Sequence, residues 1–299
     1  MDEHIQDTQR ASAYLARWAA RVEAELDRLL PPESEPPQVL HRAMRYSTLS
    51  PGKRLRAVLA VAACEAVGAD GERALSLGAA IEMIHAYSLI HDDLPAMDDD
   101  DWRRGRPSCH RAFGEGVAIL AGDALQTLAF EVLSQLPALA GIQPSTAVAV
   151  TAVLARATGS RGMAGGQAAD LEAMGRAVDA ATLSFIHRHK TAALIRASLV
   201  SGALVGLDEG EAGLRDPVVA ALGRFGESLG VAFQIVDDLL DADDERKADE
   251  ASYPRLLGRE MAVQEADRLT HEALAAVEAL GPRGQLLGAM ARLLRHREA

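Results

Sequence analysis

The sequence predicts an all-α protein built as one domain over residues 1–299, and three observations carry that prediction. Aromatic residues make up 4% of a chain that is 48% apolar and rich in alanine and leucine, a composition that favours helices over sheets. Apolar residues recur at helical spacing in segment after segment, and no stretch sustains the alternation of a half-buried strand. Glycine and proline punctuate between those segments, with no fixed-period repeat and no Ser/Gly-rich linker.

The elements follow in order. Ile5 to Leu30 repeats apolar residues helically and stops at Pro31-Pro32, and a second helix starts near Val39 after Pro36-Pro37. Helices are then predicted over Arg54 to Val67, Glu72 to Leu94, Val117 to Leu136, Ser145 to Thr158, Ala180 to Val205, Pro217 to Leu240, Glu260 to Ala279 and Gly284 to His296. Glu72 to Leu94 and Ala180 to Val205 are apolar on more than one face, which places them inside a bundle. A ligand cavity is expected between such helices.

The formal net charge of −12 argues against a nucleic-acid partner. Two cysteines, Cys64 and Cys109, are too few for a disulfide framework, so a cytoplasmic protein is expected. Met1 to Arg21 lacks the apolar core of a signal peptide, and stretches such as Val148 to Ala155 are too short to span a membrane.

Two acidic clusters dominate the chemistry. Asp92-Asp93-Leu94-Pro95-Ala96-Met97-Asp98 and Asp237-Asp238-Leu239-Leu240-Asp241 each close an apolar helix. Carboxylates crowded at an apolar boundary need protons or cations to neutralise them. An oxygen-only donor set selects a hard ion such as Mg²⁺, which leaves positions open for phosphate. Basic residues lie nearby in Arg103-Arg104 and in Gly52-Lys53-Arg54-Leu55-Arg56. Lys53 and Arg56 are expected to share the face of a helix start, where backbone N–H groups also favour an anion, and arginine forks match phosphate oxygens. One diphosphate would then be held through metal and another by basic side chains.

Helical spacing puts His85, Ser88 and Asp92 on one side of their helix, and Gln234, Asp237, Asp238 and Asp241 together on another. Pro95 ends the first helix, so Asp98 must reach back from a loop. Lys190-Thr191 interrupts an apolar element. Taken singly, each feature has an ordinary reading: a solvated acidic loop, a charged helix start, a snorkelling lysine, an interior histidine, or a cap at Asp170 after Gly165-Gly166-Gln167.

Together these residues resemble the trans-isoprenyl diphosphate synthases, in particular the bacterial farnesyl and geranylgeranyl members. The resemblance covers nearly the whole chain. It is carried by the run from Glu82-Met83-Ile84-His85-Ala86-Tyr87-Ser88 through Asp98 and Arg103-Arg104-Gly105 to Cys109-His110. Gly52 to Arg56, Leu120-Ala121-Gly122-Asp123-Ala124-Leu125, Lys190-Thr191 and Phe233 to Asp241 extend it. It implies an isoprenoid-synthase helical bundle around a central cavity, usually a homodimer. It also implies three Mg²⁺ ions bridging an allylic diphosphate to the acidic motifs. Asp92 and Asp98 would bind two ions and Asp237 the third, with Asp93, Asp238 and Asp241 in support. Arg103, Lys190, Thr191 and Gln234 would contact the allylic diphosphate; Lys53, Arg56, His85 and Arg104 would hold isopentenyl diphosphate without metal.

The implied reaction is head-to-tail condensation to a short all-trans prenyl diphosphate. Tyr87, with Ser88 beside it, matches the aromatic that limits growth to fifteen carbons, so farnesyl diphosphate is the expected product and geranylgeranyl diphosphate the alternative. Two departures stand out. The stretch after Asp241 is short and acidic: Glu250 falls where a lysine is usual, and only Arg246 or Lys247 could substitute, which raises a weakly active or non-catalytic partner subunit as an alternative. Ala57 replaces the usual proline, a minor change. A terpene cyclase would have no need of a second diphosphate site, and a di-iron bundle would need a second Glu-x-x-His besides Glu82 to His85.

Overall fold

The computed structural model describes residues 2–242 and 251–296. Helix α1 spans Asp2–Leu29 and α2 spans Gln38–Thr48, separated by the expected proline break. Helix α3, Leu55–Ala66, and α4, Leu75–Asp92, follow, the latter preceded by a 3-10 turn at Gly71–Ala74 in which the Asp70 carboxylate accepts the Glu72 N–H. A two-residue antiparallel hairpin, β1 (Trp102–Arg103) and β2 (Arg106–Pro107), departs from the expected absence of strands. Next come α5 (Cys109–Phe113), α6 (Glu115–Leu139) and α7 (Pro144–Thr158).

Helix α8, Met163–Ala173, is not among the predicted helices; its Gly165 and Gly166 have low helical propensity. The predicted helix from Ala180 to Val205 is three pieces in succession: α9 (Ala180–Ile186), a π-helical turn (His187–Ala192) and α10 (Ala193–Leu207). Helix α11 spans Pro217–Leu240 as predicted, with the Asp216 carboxylate capping its start and proline in its first turn. Short α12 (Tyr253–Leu257), then α13 (Arg259–Glu278) and α14 (Pro282–Arg295), complete the bundle.

Helices α3, α4 and α10 form the centre, and apolar residues on all their faces are buried. Gly202 of α10 lies against the backbone of Ala60 in α3, where any Cβ would overlap it, so this small residue sets the spacing of the central pair. Around this centre α6 packs on α4, α7 on α10, and α11 lies between α10 and α13. A second, smaller apolar cluster joins α11, α12 and α13 through Ile235, Val236, Leu239, Tyr253 and Ala266. The C-terminal end of α4, the π turn and the C-terminal end of α11 are thereby drawn together with the start of α3.

Candidate active site

The first acidic motif folds back on the end of α4. Asp92 is the last residue of that helix, and its carbonyl accepts the Asp98 N–H at 2.9 Å, while the Leu94 carbonyl accepts the Asp99 N–H at 3.1 Å. This loop returns Asp98 to Asp92 as the proline break requires. The Asp98 carboxylate accepts Gln167 Nε2 of α8 at 3.4 Å. Burial pushes the Asp92 carboxyl up to about 7; the Asp98 and Asp93 charges add to the rise, and Lys190 and Arg103 oppose it.

Asp93 turns elsewhere. Buried at the end of α4, it accepts Arg103 Nε at 2.8 Å and a second N–H from the same guanidinium, which also pairs with Asp100 at 3.0 Å. Arg103, expected to contact a diphosphate, is thus docked against the first motif by two carboxylates.

Lys190 and Thr191 leave the π turn towards different walls. Lys190 Nζ pairs with Asp170 of α8 at 2.6 Å, and its charge is also felt by Asp92 and Asp98, which with Asp170 hold its pKa up against burial. Thr191 Oγ1 donates to Gln234 Oε1 of α11 at 2.8 Å, and Gln234 Nε2 donates to Asp238 at 3.1 Å. Asp238 also accepts the Tyr253 N–H at 3.2 Å and lies 3.4 Å from His187 Nε2. Of these two consecutive residues, Lys190 lies within charge range of the first acidic motif, and Thr191 is joined to the second through Gln234. A π turn adds a residue to the helical repeat, as is frequent at functional sites, and Gly166 lets α8 approach it, since a Cβ there would overlap the Lys190 backbone.

Beside this acidic ground lies a cationic pocket. Arg56 NH1 is 3.2 Å from His85 Nε2. Burial holds His85 well below its usual range, and the charges of Arg56, Arg104, Arg103 and Arg54 push it further, so the imidazole is neutral and accepts from the guanidinium. Burial likewise lowers Arg56, against the opposing pull of Glu82 and Asp237; the second acidic motif is close enough to act on the basic pocket. Arg104 NH1 donates to Ser50 Oγ at 3.3 Å. Arg54, Glu82, His85, Asp93, Arg103 and Arg104 line a cavity of about 40 Å³ here.

The structure corrects one geometric expectation. Helix α3 begins at Leu55, so Lys53 stands before the helix, exposed, and does not share a helical face with Arg56. Arg54 takes a left-handed conformation, φ 48°, between them. Ser88 Oγ donates back to the His85 carbonyl at 2.9 Å. Tyr87 is buried between α4 and α6, its ring 6.0 Å from that of His91, and burial pushes its phenol up to about 12 while a bond to Gln126 opposes the rise. Asp241 caps α11. Arg246, Lys247 and Glu250 lie outside the described residues. Sequence reading missed Gln167 as a site residue and took Asp170 for a possible cap; their three-residue spacing, which puts both on one helical face, was the available signal.

Among the described residues, no three His, Cys, Asp or Glu side chains form a closed metal cage. The gathered donors are carboxylate oxygens, one of them destabilised by burial beside others, which suits a hard cation that completes its shell with ligand oxygens. Glu82 and His85 instead face Arg54 and Arg56, a setting that disfavours the iron site considered above.

Comparison with known proteins agrees with this geometry. The polyprenyl synthetase family profile matches residues 37–253. The chain is 45% identical over 259 residues to geranylgeranyl pyrophosphate synthase, chloroplastic, of Capsicum annuum, covering 83% of this chain and 68% of that one. It is 43% identical to a dimethylallyltranstransferase of Fischerella ambigua, covering 87% and 76%. Among solved structures, an FPP/GFPP synthase from Zymomonas mobilis superposes with a TM-score of 0.86 at 38% identity, covering 95% of this chain and 98% of that one. A geranyltransferase from Legionella pneumophila gives 0.87 at 34%, covering 97% and 98%. An isoprenoid-synthase bundle with paired acidic motifs and an adjoining cationic pocket, in a chain this similar to those enzymes, belongs to the polyprenyl synthetase family and is a short-chain prenyltransferase.

Proposed function

We propose that the chain joins isopentenyl diphosphate head to tail to an allylic diphosphate, dimethylallyl or geranyl. The observation that carries this reading is the division of the site. Lys190 lies within charge range of Asp92 and Asp98, Thr191 is joined to Asp238 through Gln234, and Arg56, His85 and Arg104 form a cationic pocket beside them. A cyclase acting on one diphosphate has no use for the second pocket.

Asp92, Asp98 and Asp237 are the residues that would hold Mg²⁺, three ions with substrate bound. Bound there, the ions supply charge neutralisation for a diphosphate as its allylic C–O bond breaks. Lys190, Thr191, Gln234 and Arg103 orient that diphosphate by charge-assisted hydrogen bonds. Lys53, Arg56, His85 and Arg104 seat isopentenyl diphosphate so that its double bond meets the cation, and the departing diphosphate takes the released proton. Incubating the purified protein with both substrates and Mg²⁺ tests the reaction: a longer prenyl diphosphate supports it, and no product at saturating Mg²⁺ favours a non-catalytic partner subunit.

Product length has two readings. Tyr87, by its resemblance to the aromatic that limits chain growth, favours fifteen carbons, farnesyl diphosphate. The plant relatives, named as geranylgeranyl synthases at 45% and 42% identity, favour twenty. Mass analysis of the product separates them.

We also propose a cytoplasmic homodimer. Among the described residues three helical stretches are long and apolar enough to cross a membrane, but Ala180–Leu207 and Pro217–Leu240 have most of their apolar windows buried in the bundle. In α6 only 39% of that window is buried, and Ile119 and Leu120 are exposed. A second copy of the chain would cover this face. The two cysteines are free and buried, in keeping with a reducing compartment.

A further inference from the structure

A buried carboxylate at the cationic pocket has no part in the reaction proposed above. Glu82 stands on α4 one turn before His85, and both it and the guanidinium it faces, Arg54, are 4% exposed. Its Oε2 lies 3.9 Å from Arg54 NH1, and its Oε1 accepts the Ala57 N–H at 3.2 Å. That N–H is one of the unpaired donors in the first turn of α3. A side chain of α4 thus caps the helix that carries Arg56. Proline, the usual residue at this position by resemblance, has no N–H to offer, so Ala57 gives this chain a tie between the two helices.

Arg54 extends the argument. Its left-handed backbone, φ 48°, is unfavourable for an L side chain and needs external support. The guanidinium is held by Glu82, by Glu23 Oε1 at 3.2 Å and by the Ser50 carbonyl at 2.6 Å. The turn so fixed sets the relation of Lys53 to Arg56. Glu82 also acts on Arg56 and Arg104, opposing the lowering that burial imposes on both. A buried carboxylate among guanidiniums is costly to remove, because it leaves cations unpaired in a poorly solvated place.

We infer that Glu82 is a positioning residue for isopentenyl diphosphate: its buried charge, paired with Arg54, fixes where Arg56, His85 and Arg104 meet the substrate. This rests on the reading that the pocket seats that substrate. Glu82→Gln keeps an acceptor for the Ala57 N–H and removes the charge. The expected result is a KM for isopentenyl diphosphate raised at least tenfold, a KM for the allylic diphosphate within twofold of the parent, and a cooperative thermal transition. Ala57→Pro removes the donor and keeps the charge, and should leave the isopentenyl diphosphate KM within threefold.

An unchanged or lower isopentenyl diphosphate KM in Glu82→Gln would overturn the inference, as would equal rises for both substrates. A tenfold rise in Ala57→Pro would overturn the role given to the charge. Should Glu82→Gln not fold, Glu82→Asp, which withdraws the carboxylate by one methylene, is read by the same split between substrates. If the parent itself fails to bind isopentenyl diphosphate, the reaction reading falls and this inference with it; a working parent beside an unaffected Glu82→Gln overturns the inference alone.

Discussion

Asp92 and His85 sit in opposite electrostatic settings on one helix, an acidic cluster and a cationic pocket. Asp92 is a crowded carboxyl raised to about 7 by burial and by Asp98 and Asp93 against the pull of Lys190 and Arg103, so an added cation would stabilise its anion further. Asp92→Ala should lower kcat by about 10²–10³-fold or more, the scale of losing one preorganised electrostatic contact, while isopentenyl diphosphate binding, measured calorimetrically, changes little. Equal losses in both would show that the diphosphates are not held separately. His85 is held neutral, its folded pKa well below 6.5. The unfolded chain therefore takes up the proton first: stability is full above the unfolded value and declines as pH falls through it towards the folded one. Between pH 7 and 5 the stability of the parent should fall relative to that of His85→Gln in denaturant melts, since the variant lacks this group's contribution, and imidazole NMR should find this ring unprotonated at pH 6. At this scale the acidic motifs were legible, since carboxylates at the end of an apolar helix announce a need for cations. The pairings of Asp93 with Arg103 and of Lys190 with Asp170 were not. They depend on which loop and which helix arrive beside them, and no local spacing encodes that.

Among the elements, the π turn between α9 and α10 and the unforeseen α8 act as a unit. Gly166 allows α8 to lie against the turn, Gln167 reaches Asp98, and Asp170 reaches Lys190. Gly166→Val would force the two apart. It should cost about 1–3 kcal/mol of stability, the usual range for overpacking, and should lower kcat/KM for the allylic substrate more than for isopentenyl diphosphate. Chemical denaturation and paired substrate kinetics check both parts, and an unaltered allylic kcat/KM would contradict the clamp. The long helices were readable from their periodicity because tertiary contacts reinforce it: α11 has the predicted bounds. Helix α8 was hidden because its glycines have low helical propensity, a preference outweighed here by the close packing they permit. Helix α3 starts one residue later than its sequence predicts because Arg54, a good helix former, is held left-handed by distant acceptors.

The whole molecule is a bundle whose apolar centre orders one end for chemistry and whose α6 leaves an apolar face open. Leu120→Lys should weaken the proposed homodimer in light scattering; a dimer insensitive to that change would place the interface elsewhere, and a monomeric parent would overturn the proposed dimer. Family, fold and acidic motifs were all accessible from the sequence, whereas product length was not: Tyr87 and the named relatives point to different chains. The division of the site into a metal-dependent and a metal-independent diphosphate is the claim on which the rest depends. Calorimetric titration of the protein with isopentenyl diphosphate and with a non-ionisable allylic diphosphate analogue, each in Mg²⁺ and in EDTA, tests it most directly. EDTA should abolish binding of the analogue and leave isopentenyl diphosphate binding within a few-fold; loss of both, or of neither, would refute that division.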